Sequence, residues 1–224
     1  MTAALALLLF AAPAQRSPGE QALDAQDLGK LEQIASAEAS VAGRTSDPAT
    51  WYRAAVAYSH LAQLGIETGD KLLGKSAAET GIRHAEKAVA LKPADGEYRR
   101  ILGTLCGQVI PANVLAGLKW GKCATEEIKK ATELAPRSAK VWLSRGVGNY
   151  YLPSSFGGGV DRAIADFDKA VALDAGLAEA HLWRGVALRK AGRNADARKS
   201  IEKALQLNPD RKWARQQLEK TPAR

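Results

Sequence analysis

The sequence feature that most restricts the fold is the segment 178–209, AEAHLWRGVALRKAGRNADARKSIEKALQLNP. It contains two amphipathic helical patterns joined by a short turn at 191–194. Small residues stand where the two helices would cross: Gly185 in the first pattern, Ala197 and Ala204 in the second. Helices approach closely only where one side chain is nearly absent and the facing residue fills the space. The segment therefore predicts a closely packed helical hairpin.

The same pattern recurs upstream, with insertions of different length. We predict four units, at 48–93, 96–136, 139–175 and 178–209, with the longest insertion at 61–78. A polar capping helix and tail is expected to follow at 210–224, as a solenoid end requires. The positions expected to be structural are Trp51, Ala55, Gly81, Ala88, Pro93, Gly103, Ala124, Ala131, Pro136, Trp142, Gly146, Ala163, Phe167, Ala170, Gly185, Ala197, Ile201, Ala204 and Pro209.

The unit length, the turn and the small residues resemble the tetratricopeptide repeat (TPR), a unit of about 34 residues. This resemblance implies an all-α helix-turn-helix solenoid with insertions and a C-terminal capping helix. It also implies a binding scaffold whose partner is set by its surface rather than by its fold. No catalytic residue transfers from the family.

A narrower resemblance comes from the irregular parts. The helix at 81–93, the expanded second unit and the turn with Pro153 and 156–159 resemble the periplasmic TPR group related to the T component of TRAP transporters. That group usually has an acidic residue where Gly159 stands. The resemblance implies periplasmic scaffolding or solute-related binding.

The N-terminal residues 1–14 form a short apolar run that ends in the A-x-A-like sequence Ala12-Pro13-Ala14. This pattern predicts a secretory signal that is too short to span a membrane, although no Lys or Arg precedes it. The alternative is a frayed apolar N-terminus. We then expect a linker at 15–20, a leading helix at 21–42, and a periplasmic or secreted protein with no membrane span after signal removal.

The formal net charge of +8 makes nucleic acid or another anionic partner a third hypothesis. No run of five or more like charges occurs, and the basic C-terminal half lacks interleaved aromatic residues. A nucleic-acid partner is therefore not expected.

Residues 69–76, GDKLLGKS, match the phosphate-loop pattern letter for letter. Such a loop needs a strand before it and a helix after it, so that its N–H groups converge on phosphate. The preceding residues have a helical pattern instead, so we interpret the match as a coincidence.

The two cysteines, Cys106 and Cys123, both fall on predicted helices of the second unit. They could form a disulfide in an oxidising compartment, or remain two buried thiols that pack as small hydrophobic groups. The sequence alone slightly favours the thiols.

The three histidines share no metal-ligand spacing, and no CxxC pattern occurs. His181 occupies the large first-helix position that Trp51 and Trp142 fill in other units, which favours packing. No arrangement of catalytic residues can be assembled. We therefore predict no metal, no cofactor and no enzymatic activity.

The glycines at 157–159 allow two interpretations. They could cradle an anion at the N-terminus of the helix at 160–174. The favoured alternative is a turn with positive φ that docks Phe156 against a neighbouring helix.

In a TPR superhelix the first helix of each unit lines the concave face. Aromatic side chains with polar tips beside arginines suit an extended peptide or an elongated small ligand, although a merely solvated groove is the alternative. We predict an exported scaffold that binds a protein or peptide there; the alternative function is a solute-binding helper of a TRAP-type transporter. The predicted groove residues are Tyr52, Ser59, His60, Arg100, Thr104, Gln108, Tyr150, Tyr151 and Arg189.

Overall fold

The structure is a computed structural model that describes residues 16–112 and 114–223. The predicted signal peptide at 1–14 lies outside the described residues. Within them the chain is helical and contains no strand, which confirms the predicted all-α class. The helices are α1 Pro18–Asp24, α2 Leu28–Ala42, α3 Pro48–Thr68, α4 Lys71–Leu91, α5 Gly96–Val109, α6 Val114–Leu134, α7 Ala139–Tyr151, α8 Val160–Leu173, α9 Ala178–Lys190, α10 Asn194–Leu207 and α11 Lys212–Glu219.

Four helical hairpins form the array: α3 with α4, α5 with α6, α7 with α8, and α9 with α10. The first helix of each hairpin also contacts the first helix of the next, so that α3, α5, α7 and α9 follow one another along one side. This arrangement is the helix-turn-helix solenoid that the sequence pattern predicts.

The first-helix glycines allow the hairpins to close. A Cβ atom placed on Gly146 would lie 2.5 Å from a ring carbon of Phe167, and one on Gly185 would lie 2.4 Å from Cγ1 of Ile201. Phe167 and Ile201 are fully buried. Each glycine thus provides the hollow that a large second-helix side chain fills, as the repeat pattern predicts.

This packing gives a matched test with two helix-interior glycines. Gly185→Ala should lower the free energy of unfolding by about 1–3 kcal/mol, because the new methyl overlaps Ile201. Gly148→Ala should be neutral or slightly stabilising, since nothing lies within 4 Å of its Cβ position. Urea unfolding of both variants checks the pair; equal stability of the two would contradict this account of the glycine.

A polar contact also repeats along the array. Near the start of each first helix, a side-chain nitrogen bonds to the carbonyl oxygen six residues earlier and so fixes the preceding loop. His181 makes this bond in the last hairpin and is buried, which agrees with its predicted packing role. The bonds join Trp51 to Thr45, Arg99 to Pro93, Trp142 to Pro136 and His181 to Ala175, over 3.2, 2.8, 2.8 and 3.0 Å.

The predicted insertion at 61–78 is not a loop. Its residues lengthen α3 and α4 to 21 residues each, with a turn at Gly69 and Asp70. A Cβ on Gly65 would lie 2.4 Å from the backbone nitrogen of Gly74, so these glycines serve close helix packing. The phosphate-loop pattern falls on this helical hairpin, so a helix stands where a phosphate loop requires a strand.

The N-terminal region differs from the predicted linker at 15–20 and single helix at 21–42. Ser17 and Glu20 form a capping box, so α1 already begins at Pro18. The chain then turns at Gln26, which has a φ of 51°, and Asp27 caps α2. The linker prediction was wrong because Pro18, a residue also common in turns, here takes the first position of a helix, where its fixed φ is well suited.

Two local predictions are also corrected. Cys106 and Cys123 form a disulfide with an S–S distance of 2.01 Å and a Cα–Cα distance of 6.0 Å, so the preference for free thiols was wrong. The bond joins α5 to α6, and the separation of the two cysteines could not be judged from their spacing. The turn at 157–159 has positive φ at Gly157 and Gly159, but Phe156 is 76% exposed and is not docked.

Candidate interaction surface

The predicted groove residues lie on the first helices of the hairpins. Tyr52, Ser59 and His60 are on α3; Arg100, Thr104 and Gln108 are on α5; Tyr150 and Tyr151 are on α7; and Arg189 is on α9.

Hydrogen bonds connect several of these residues across neighbouring first helices. Ser59 donates to the side-chain oxygen of Gln108 over 3.0 Å, and the amide of Gln108 donates to the Ser59 carbonyl over 3.1 Å. On the next pair of helices, Thr104 bonds to Ser144 over 3.1 Å. These residues therefore face each other and stabilise the contact between first helices.

Arg100 and Tyr52 are also held by neighbours. Arg100 donates to Glu97 over 2.8 Å and to Ser144 over 3.3 Å, while Tyr52 stacks on Tyr98 with ring centroids 5.0 Å apart. Burial opposes the charge of Arg100, but Glu97 and Tyr52 together outweigh it and the pKa of the guanidinium is raised. Arg100 is therefore a charged group fixed in position.

The short helix α1 covers the predicted groove at His60. A Cβ on Gly19 would lie 2.9 Å from Nδ1 of His60, so the backbone of α1 packs closely against this ring. Nδ1 of His60 is buried and has no hydrogen-bond partner among the described residues. Ala22 and Leu23 of α1 are buried in the same apolar core as α3 and α5. The N-terminal segment thus occupies the surface that the sequence assigned to a partner.

This contact predicts a pH effect. Burial lowers the pKa of His60 to about 4; Arg211, Arg100 and Lys140 act in the same direction, and Glu20 opposes them. A lowered histidine pKa contributes stability that is present above the unfolded pKa of about 6.5 and is lost as the pH falls towards about 4.

Acidification from pH 7.5 to 5 should therefore cost about 2 kcal/mol of unfolding free energy through His60 alone. His60→Phe, a similarly shaped uncharged variant, should lose this part of the pH dependence. Denaturant unfolding at several pH values measures it. If the unfolding free energy of the variant depended on pH as steeply as that of the parent protein, the assignment would be contradicted.

A buried ionic cluster around Arg211 joins the two ends of the array. The side chain of Arg211 is 2% exposed; Nη1 lies 2.9 Å from Oε2 of Glu67, and Nη2 bonds to the other carboxylate oxygen. Nε lies 2.6 Å from Glu179, and Nη1 also donates to the carbonyl of Leu23. Burial disfavours the guanidinium charge, but Glu179 and Glu67 outweigh it and raise the pKa of Arg211. Arg211, which stands immediately before α11, thereby connects α1, α3 and α9.

A second set of contacts extends this junction around Asp24, at the end of α1. Asn208 donates to Oδ1 of Asp24 over 3.0 Å, and Arg16 lies 2.5 Å from Oδ2. Arg16 also lies 2.8 Å from Asp210. We call Arg16, Asp24, Glu67, Glu179, Asn208, Asp210 and Arg211 the end-to-end cluster. The sequence analysis missed it, because no local pattern signals contacts between residues so far apart in the chain.

Two of the remaining groove residues, Tyr150 and Tyr151, lie at the end of α7, beside α9. Tyr150 and Tyr151 contact Trp183 edge-on, and Tyr151 is 51% exposed. Both tyrosines line an open cleft of about 690 Å³ together with Arg162 and Lys190.

Arg189 is held by the capping helix. Its guanidinium donates to the carbonyl of Gln217 over 3.0 Å and to the side-chain oxygen of the same residue over 2.7 Å. The structure therefore connects the predicted residues of α3 and α5, whereas Tyr150 and Tyr151 lie beside α9 and Arg189 fixes α11.

The tetratricopeptide repeat family model matches residues 178–211. Among solved structures, TTC0263, a thermophilic TPR protein in Thermus thermophilus, superposes with a TM-score of 0.64 at 18% identity, covering 91% of this chain and 96% of that one. YrrB, a TPR protein with an unusual peptide-binding site, superposes with a TM-score of 0.46 at 20% identity, covering 91% of this chain and 98% of that one. MamA superposes with a TM-score of 0.44 at 19% identity, covering 87% of this chain and 96% of that one. The family match and the first superposition show that the chain is a TPR solenoid in its fold.

No curated protein matches the sequence significantly. The narrower resemblance to the TRAP T-component group is not supported by these comparisons, and the solute-binding alternative gains nothing from them. Residues 16–112 and 114–223 include no helix that is both long and apolar enough to cross a membrane.

Proposed function

We propose that this protein is an exported TPR scaffold that binds another protein or a peptide through the face formed by its first helices. The observation that carries the proposal is α1 itself. This seven-residue helix of the same chain already docks on that face, over His60 and beside Arg211. The face thus accepts a helical segment that has a small residue near its start and a carboxylate side chain at its end.

The part of the face beyond α1 supports a peptide partner. Tyr150 and Tyr151 present aromatic surface with hydroxyl groups, and Lys190 lies 4.2 Å from the Tyr150 ring centroid. Aromatic and cationic side chains in one cleft are the groups that most often dominate binding to proteins.

The disulfide supports export. Disulfides form and persist in secreted and periplasmic proteins and are rare in the reducing cytosol of most organisms. Together with the apolar run at 1–14, the Cys106–Cys123 bond is consistent with a protein that leaves the cytosol.

Site-specific photo-crosslinking in the native cells tests the proposal. A benzophenone amino acid at Tyr151, on the exposed part of the face, should give a discrete adduct with a second protein. The same group at Lys203, exposed on the second helix α10, is the matched control and should give no such adduct. Equal labelling at both positions, or none at Tyr151, would contradict the groove assignment.

A further inference from the structure

The tips of the first two hairpins form a projection from the array. α3, α4 and α6 have 21 residues each, whereas the helices from α7 to α10 have 13 or 14. The difference of seven or eight residues corresponds to about 10 Å of helix. A cleft of about 110 Å³ is lined by Lys71 and Lys75 from one tip and by Gln108 and Pro111 from the other, so the two tips lie side by side.

The projection carries exposed leucines. Leu72 in the first turn of α4 is 82% exposed, and Leu115 and Leu118 near the start of α6 are 73% and 80% exposed. These are the three most exposed leucines of the described chain. Leucines this exposed are not part of the core of this chain.

The same projection is basic. Lys119 and Lys122 share the exposed face of α6 with Leu115 and Leu118, at helical spacing, and the sequence contains no Asp or Glu at 98–125. Lys71 and Lys75 flank Leu72 on the other tip.

The acidic groups near the tips only partly offset this charge. Asp70 caps α4 by accepting from the backbone of Leu73, Glu79 lies 3.5 Å from Lys75, and Glu126 lies 3.8 Å from the exposed Lys122. These three carboxylates stand against four lysines, Lys71, Lys75, Lys119 and Lys122. The surface around the leucines therefore keeps a small net positive charge.

We propose that these two tips dock on a membrane surface containing anionic lipids. Leucines would enter the boundary between headgroups and acyl chains while the lysines contact lipid phosphates, which is the arrangement by which amphipathic surfaces lie on bilayers. A bilayer accepts a protruding tip without a complementary pocket, whereas a protein partner needs one. A second copy of this chain would bring like charges together across a symmetric contact.

Vesicle co-sedimentation of the disulfide-intact protein tests this proposal. All variants keep the same N-terminus, so that residues 1–15 contribute equally. The protein should bind vesicles of equimolar phosphatidylglycerol and phosphatidylcholine, bind pure phosphatidylcholine at least about tenfold more weakly, and dissociate at high salt.

Leu72→Ser/Leu115→Ser/Leu118→Ser should reduce binding to the anionic vesicles by about tenfold or more, because the inserted apolar groups are lost. Leu91→Ser/Leu134→Ser is the control, with two leucines that are 49% and 46% exposed elsewhere, and should bind like the parent protein. Circular dichroism confirms that both variants stay helical.

Lys71→Gln/Lys119→Gln/Lys122→Gln should lose the salt-sensitive part of the binding. The proposal is overturned if the parent protein does not bind anionic vesicles, if it binds neutral ones equally, or if the leucine and control variants behave alike. Leucine-dependent self-association or capture of an acidic protein, without vesicle binding, would also overturn it.

Discussion

Replacing Arg211 with methionine is expected to lower the free energy of unfolding by about 3–5 kcal/mol and the melting temperature by roughly 10 °C. The reason is that the substitution leaves the carboxylate of Glu67, whose side chain is 1% exposed, without its cation in the protein interior. Asp24 and Glu179 lose a partner as well. Differential scanning calorimetry and urea unfolding measure the effect.

Two further variants separate this cause from a general loss of packing. Arg211→Met/Glu67→Met removes the charge on both sides and should recover a large part of the loss, because a buried ion pair can often be replaced by apolar groups at little cost. Arg193→Met breaks the exposed pair with Asp196 and should change stability by less than about 0.5 kcal/mol. An Arg211→Met protein as stable as Arg193→Met would refute the role given to the cluster.

Removing the disulfide is expected to have the second-largest effect. Cys106→Ala/Cys123→Ala should lose about 3 kcal/mol, because the bond closes a loop between residues 17 apart and restricts the unfolded chain. Reduction of the parent protein by dithiothreitol should produce a similar loss in urea unfolding. A count of two free thiols on the unfolded, unreduced protein would show that the bond is absent and would remove the basis of this prediction.

The hairpins could be predicted from the sequence because their determinants are local and repeat. Gly146 and Gly185 face Phe167 and Ile201 as the repeat spacing requires, and Asp47 caps α3 immediately before Pro48. Such signals combine helical periodicity, small residues and caps, each of which acts over a few residues. The fold class therefore follows from the chain itself.

The contacts that close the array could not be predicted in this way. Arg211 and Glu67 are 144 residues apart, and nothing near either residue marks the other as its partner. The path of α1 was missed for a related reason, since Gly19 matters only through the side chain of His60 that it meets. The disulfide likewise depends on how α5 and α6 pack, because residues 17 apart on two helices can be near or far.

The position of α1 also changes how the groove prediction is interpreted. Ser59, Thr104, Gln108 and Arg100 hold the first helices together, and His60 lies under α1. A partner that used the whole face would have to displace α1 and break the end-to-end cluster, and the apparent affinity would fall with the fraction of molecules in which α1 is released. The part around Tyr151 is accessible without that step.

Hydrogen exchange at the backbone amides of α1 tests the central claim, that this helix is docked on the first-helix face by the end-to-end cluster. Helix α1 should be protected to a degree similar to α2 in the parent protein, and it should lose that protection selectively in Arg211→Met while the hairpin α9–α10 keeps its own. The claim would be contradicted if the α1 amides of the parent protein exchanged as fast as those of an unstructured peptide while the hairpins stayed fully protected.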